Sequence, residues 1–202
     1  VTELASAFSA LTARVLSVAW AVGLAVQAPM WWAALKRHRY PRPPTVQTSW
    51  IELLLYVATA TILAITLVIA LVSPPNNWDS MTYHMSRVAH WRQNHTVAFY
   101  ATHIERQLYS GPFAEFVIAH LQIITGADRW ANLVQWWAAV GSAIAVSLLA
   151  RQSGSGQRGQ MVAVVFTLAL PMTVLQASST QNDLVTSLWI LCFLYFSIRC
   201  VG

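Results

Sequence analysis

"LLLYVATATILAITLVIALVSPPNNWDSMTYHMSRVAHWRQNH", residues 53–95, is the stretch on which the fold turns. Its first twenty residues, 53–72, carry no charge and are mostly apolar. As a helix they would be about 30 Å long, the thickness of a bilayer's hydrocarbon core. Just beyond this run stands Asp79, among Trp78, Tyr83, His84, His90 and His95. A spanning helix thus delivers a carboxylate, aromatic rings and imidazoles to the membrane–water interface.

The whole chain has the same character. Only 9% of its 202 residues are charged and 56% are hydrophobic, whereas soluble domains carry about 25% charged residues. Mean hydropathy is +0.51, which places the chain among integral membrane proteins. Ten tryptophans fit that class, because indole rings favour the interface. Net charge is +5, with Lys36, Arg37, Arg39 and Arg42 crowded into one connection. So short a patch between two hydrophobic runs reads as a cytoplasmic flank, not as a nucleic-acid surface. Cys192 and Cys200 lie about 12 Å apart along one predicted helix and cannot pair with each other. Cysteine usage therefore assigns no compartment.

Four runs are long enough to span a membrane: 15–35, 53–72, 130–150 and 161–180. A fifth, 184–198, is short. Pro171 lies inside the fourth run, where a kink is tolerable because neighbouring groups can satisfy the freed carbonyl. The first run is long for a signal-peptide core and its heavier positive flank follows it, so no cleavable signal is expected. Either the N-terminus is outside or further sequence precedes Val1.

Orientation follows from the positive charges. With the 36–42 connection inside, the 151–158 turn and Arg199 fall on the same side, giving seven of the twelve Lys and Arg residues. The other five are Arg14 and four arginines spread over 73–129. The expected fold class is an all-α integral membrane protein of about five transmembrane helices, with amphipathic interfacial helices in a large outer loop, 73–129. A short outer connection covers 178–183.

Within the outer loop, Met81, Met85 and Val88 recur at helical spacing over 80–95, with Trp91 at the stripe's edge. They predict an amphipathic helix on the membrane surface. Residues 112–125, "PFAEFVIAHLQIIT", are apolar but too short to span, and read as an interfacial or re-entrant helix. "RQSGSGQRGQ", 151–160, reads as a flexible turn.

Asp79 is the sharpest chemical candidate, a carboxylate positioned to act as general base on an acceptor hydroxyl. The competing reading is an N-cap of the surface helix. Asp183, where the last run begins, poses the same pair of readings. Both carboxylates fall on the outer side, where ionisable groups near apolar spans tend to be functional or paired. His84, His90, His95 and His103 have gaps of six, five and eight, and form no metal-ligand pair on one helix face. Arg87, Arg92 and Arg106 could hold a lipid phosphate bidentately, or simply face solvent and headgroups. Glu105 and Glu115 are weaker candidates, expected to pair with Arg106 and to cap a helix respectively. Asn94-His95-Thr96 is a glycosylation sequon, relevant only in a eukaryotic secretory pathway. No glycine-rich phosphate loop or nucleophile elbow is present.

This layout, carried by "NNWDSMTYHMSRVAHW", "PFAEFVIAHLQIITGADRWAN" and "LPMTVLQASSTQNDLVTSLWILCFLYF", resembles the lipid-phosphosugar glycosyltransferases of the GT-C superfamily. That superfamily includes the protein O-mannosyltransferases and the aminoarabinose transferases. The resemblance covers residues 50–202 and rests on spacing and topology. It implies a multispan helical bundle with surface helices, and a polyprenyl-phosphate sugar as donor. The acceptor would be a glycan, lipid or protein on the periplasmic or other extracytoplasmic face of a bacterial plasma membrane. Asp79 matches the acidic residue of the first outer loop and Asp183 that of the second. Trp78, Tyr83, His84, Arg87, Arg92 and Arg106 would bind substrate, with Arg87 and Arg92 facing the departing phosphate in an inverting displacement.

Where some members have two adjacent acidic residues, this chain has Asp79-Ser80. Members also have more spans, which marks 50–202 as the N-terminal part of such a module, with a missing C-terminal portion as its partner. Residues 1–49 would be an added helix and basic cytoplasmic loop. No cofactor is implied, and metal use varies within the superfamily, leaving a divalent ion open. The rival expectation is a non-enzymatic transporter or scaffold subunit whose aspartates are caps. A histidine-based metal or redox protein is the third, against the histidine spacing.

Overall fold

The computed structural model describes residues 1–37 and 48–201. Arg39 and Arg42 of the basic connection lie outside the described residues. The chain is 76% helix with no strand among the described residues.

Four helices are long and apolar enough to cross a membrane: Ala13–Arg37, Trp50–Val72, Leu133–Gln152 and Asp183–Cys200. In chain order the elements are α1 (Thr2–Ala7), α2 (Ala13–Arg37), α3 (Trp50–Val72), a π-turn (Ser80–His84), α4 (Met85–Asn94) and α5 (Arg106–Tyr109). They continue with α6 (Phe113–Thr125), α7 (Leu133–Gln152), α8 (Gln157–Ala169), α9 (Pro171–Gln176) and α10 (Asp183–Val201).

The boundaries have local causes. α3 opens with a capping box: the Ser49 hydroxyl accepts the Glu52 N–H at 3.4 Å, and the Glu52 carboxylate accepts the Ser49 N–H at 2.9 Å. It ends ahead of Pro74-Pro75, since a residue preceding proline is pushed out of helical geometry. The same rule corrects the expectation for 161–180. Pro171 does not merely kink one span. Leu170 is extended (φ −58°, ψ 129°), α8 stops at Ala169, and Pro171 begins a separate six-residue helix. The 151–160 turn is also shorter than expected, because α7 runs to Gln152 and α8 starts at Gln157.

Polar contacts fix the mutual directions of the long helices. Asn132, ahead of α7, donates to the Ser73 carbonyl at the end of α3 (2.9 Å), so these two run antiparallel. Gln157 at the start of α8 donates to Tyr56 near the start of α3 (2.7 Å), so those two run parallel. Gln135 of α7 accepts the Val185 N–H in the first turn of α10 (3.1 Å). Small residues, Ala138, Ala139, Ser142 and Ala143, form the buried face of α7, which lets backbones approach closely. A Cβ on Gly141 would lie 3.0 Å from Leu188. A second core joins Leu11 and Leu16 to Val88 and Trp91 of α4, and Ile118 and Ala119 of α6. It seats the 73–129 loop on the N-terminal helices.

Candidate functional site

Residues 78–94 form one continuous helical rod whose second residue is Asp79. The cap is Asn77, whose side-chain oxygen accepts the Ser80 N–H at 2.7 Å. Asp79 makes no capping bond. The N-cap reading of Asp79 is thereby corrected: Asn77 already supplies the acceptor, leaving the Asp79 carboxylate free to face outward from the first turn.

From Ser80 to His84 the rod widens into a π-turn. An extra residue per turn rotates everything upstream by about 100°, so the Met81-Met85-Val88 stripe does not survive. Met81 is exposed, and the buried face is Ser80, His84, Arg87, Val88 and Trp91. Two carbonyls of the wide turn take side-chain donors. The Ser86 hydroxyl donates to Met81 O (2.6 Å), and the Gln107 amide donates to Thr82 O (2.6 Å).

Beneath the rod lies a fully buried ionic cluster. His84 Nδ1 is 2.8 Å from Glu115 Oε1, and Arg87 Nη1 lies 3.5 Å from the same oxygen. Arg87 also donates to the carbonyls of Gln107, Ser110 (3.0 Å) and Arg106 (3.4 Å). These bonds correct two expectations. Arg87 is engaged by protein acceptors and turned away from any phosphate, and His84 is an interior residue, not a substrate contact. Glu115 does not cap α6; its Oε1 is the shared partner of His84 and Arg87. A carboxylate within a mostly apolar helix of thirteen residues was the available signal, since such a group is found paired.

The outer face of the rod is different. Gln181, in the connection ahead of α10, donates its side-chain N–H to Asp79 Oδ2 at 3.2 Å, bridging 102 positions of sequence. Tyr83, one turn on, has the Arg106 guanidinium over its ring, 5.8 Å from the centroid. Burial pushes the Tyr83 phenol above its ordinary value; the negative charges of Asp79 and Asp183 push the same way, and Arg106 opposes them. One phenol thus feels both carboxylates. Asp183 is the exposed first residue of α10.

Trp78 is 80% exposed beside Asp79. Arg92 is exposed and turned toward the Gly126 carbonyl (3.5 Å), along a groove that also holds Met81, Met85 and Asp128. The residues brought into contact are therefore Asp79 with Gln181 and Tyr83 with Arg106. The Asp183 carboxylate bonds to neither pair, His84 lies against Tyr83 from the buried side, and Arg87 and Arg92 bond elsewhere. Gln181 was missed because an amide in "STQND" has no spacing rule. Ser80 and Thr180, chain neighbours of the bonded pair, are fully buried with hydroxyls that bond no other described group. No group of three His, Cys, Asp or Glu residues is placed to hold a metal ion among the described residues.

The class these features define is an all-helical membrane protein, with two interhelical connections meeting over a carboxylate–amide contact. Comparison with known proteins returns no matching family model, no matching curated protein and no matching solved structure.

Proposed function

We propose that the Asp79 cluster is the transfer site of a membrane glycosyltransferase that uses a polyprenyl-phosphate sugar. The observation that carries this reading is the Asp79–Gln181 contact, which joins the two outer connections at one carboxylate. The amide holds Oδ2 and leaves Oδ1 to take a proton. In the reaction, Asp79 Oδ1 removes the proton of an acceptor hydroxyl, and that oxygen bonds to the anomeric carbon. The bond from that carbon to phosphate oxygen breaks, its electron pair leaving with polyprenyl phosphate, and the anomeric configuration inverts. Arg106 is the cation placed to meet the developing phosphate charge. Trp78 offers an exposed aromatic face to the sugar or to lipid headgroups.

The topology supports a donor arriving from the bilayer. α8, Leu170 and α9 together cover residues 157–176, about 30 Å if laid end to end. They supply an interrupted fifth crossing of the kind tolerated where protein surrounds the break. The rod 78–94 and α6 then lie at the outer ends of the spans, in the interface. Asp79 and Tyr83 line neither of two surface grooves of about 760 and 520 Å³, and we read the site as an open shelf, which suits a lipid-borne donor. The bacterial plasma membrane is the setting that the family resemblance gives.

The test compares wild type and Asp79→Asn in membranes supplied with a panel of polyprenyl-phosphate sugars. Loss of a general base lowers turnover about 10²–10⁴-fold, with thermal stability unchanged. Full turnover by the variant moves the base elsewhere, and wild-type membranes that consume no donor defeat the reading.

A further inference from the structure

Gln107 stands between the buried ionic cluster and the outer shelf. Its side chain is 5% exposed. Because the Thr82 carbonyl can only accept, the contact at 2.6 Å fixes the amide's orientation, with nitrogen toward Thr82. The amide oxygen then accepts from the Tyr100 and Thr102 hydroxyls, each at 3.0 Å. All partners are used in one orientation only; a flipped amide would set oxygen against oxygen.

The bonds run in both directions between the same two segments. Arg87 of α4 holds the backbone of Arg106, Gln107 and Ser110. Gln107 of α5 holds the backbone of the π-turn, at the carbonyl that precedes Tyr83 in the chain. Arg106 precedes Gln107, and its guanidinium lies over the Tyr83 ring. This reciprocal clasp therefore has Tyr83 next to one attachment point and Arg106 next to the other. The Arg106 side chain is exposed, and its backbone carbonyl is held by Arg87.

We propose that Gln107 is a positioning residue: by bonding the Thr82 carbonyl within the π-turn, it sets Arg106 against Tyr83 and so fixes the phosphate-receiving half of the shelf. The assignment of phosphate as the anion rests on the glycosyltransferase reading; the placement of Arg106 by Gln107 does not.

The test places a fluorinated tyrosine, whose phenol titrates in a lower pH range, at position 83 of the full chain and follows its ionisation by ¹⁹F NMR. Arg106 lowers the Tyr83 midpoint, so Arg106→Gln raises it. Gln107→Met, similar in length but without hydrogen bonds, raises it in the same direction. The double variant goes no further than Arg106→Gln alone, the non-additivity expected of residues acting through one contact. A Gln107→Met midpoint equal to wild type, or two shifts that simply add, overturns the proposal. Should Gln107→Met fail to fold, Tyr100→Phe removes one of the two hydroxyls that hold the amide oxygen. It raises the midpoint by a smaller amount, and no change again overturns the proposal. In donor turnover, Arg106→Gln lowers kcat/KM about 10- to 100-fold, the worth of one charge-assisted bond, with the loss in kcat because the charge it meets develops in the transition state, and Gln107→Met lowers kcat less. Inactive wild-type membranes would sink the transferase reading while the ¹⁹F result still decides the role of Gln107.

Discussion

The indole N–H of Trp20 points at Nδ1 of His120, 3.2 Å away, and this contact fixes the imidazole's tautomer. An indole N–H can only donate, so Nδ1 is the acceptor and Nε2 carries the proton, donated to Thr2 Oγ1 at 3.0 Å. Neutral His120 is what ties α2 and α1 to α6.

That tie is pH-sensitive. Burial holds His120 below its ordinary value. The unfolded chain therefore binds this proton more readily than the folded one. The stability from a neutral His120 is full above about pH 6.5, the unfolded value, and falls as the pH drops toward the folded value. His120→Gln can keep both bonds without titrating. Thermal unfolding from pH 7.5 to 5 will show a shallower decline for this variant than for wild type.

The buried cluster predicts a large stability effect. Glu115 is the only carboxylate paired with Arg87 and His84 among the described residues. Glu115→Ala leaves a buried guanidinium uncompensated, which costs about 3–5 kcal/mol. Glu115→Gln keeps an acceptor and loses less. Chemical unfolding in detergent ranks the two, and an Ala variant as stable as wild type would remove the cluster from the folding argument.

Capping and chemistry are separable two residues apart. Asn77→Ala removes the acceptor for the Ser80 N–H and should cost about 1 kcal/mol. Asp79→Asn should leave unfolding almost unmoved, since Asp79 makes no capping bond, while abolishing donor turnover. A destabilised Asp79→Asn with an unaffected Asn77→Ala would reverse the assignment.

Close approach of α7 and α10 depends on Gly141. Its missing Cβ would sit 3.0 Å from Leu188, so Gly141→Val forces repacking at a cost of about 1–3 kcal/mol. Leu188→Ala combined with it should recover part of the loss, a compensation that unfolding measurements on the pair would detect.

Much of this protein was readable from its residues in order. Uncharged runs near twenty residues gave the long helices α2, α3 and α7, because lipid leaves a spanning chain no other way to satisfy its backbone; the short run 184–198 became the long α10, and the run 161–180 broke at Pro171. Asp79 and Asp183 were visible as carboxylates at the ends of such runs, and 80–95 as helical. Pro171 was visible too. Whether it would bend or break its helix depended on how the neighbouring helices accommodate the freed backbone, which no local pattern encodes.

Tertiary structure alone decided which groups meet. The π-turn moved Met81 off the buried face and put His84 and Arg87 there, because one extra residue rotates the rod by a quarter turn or more. Arg87 and Arg106 are the same residue type in the same loop, yet one is engaged by three carbonyls and the other lies over Tyr83. Gln181 reaches Asp79 only because α10 begins beside α7. Periodicity reports a helix's own geometry; partners 102 positions apart are set by how helices pack, and side-chain chemistry follows from that packing.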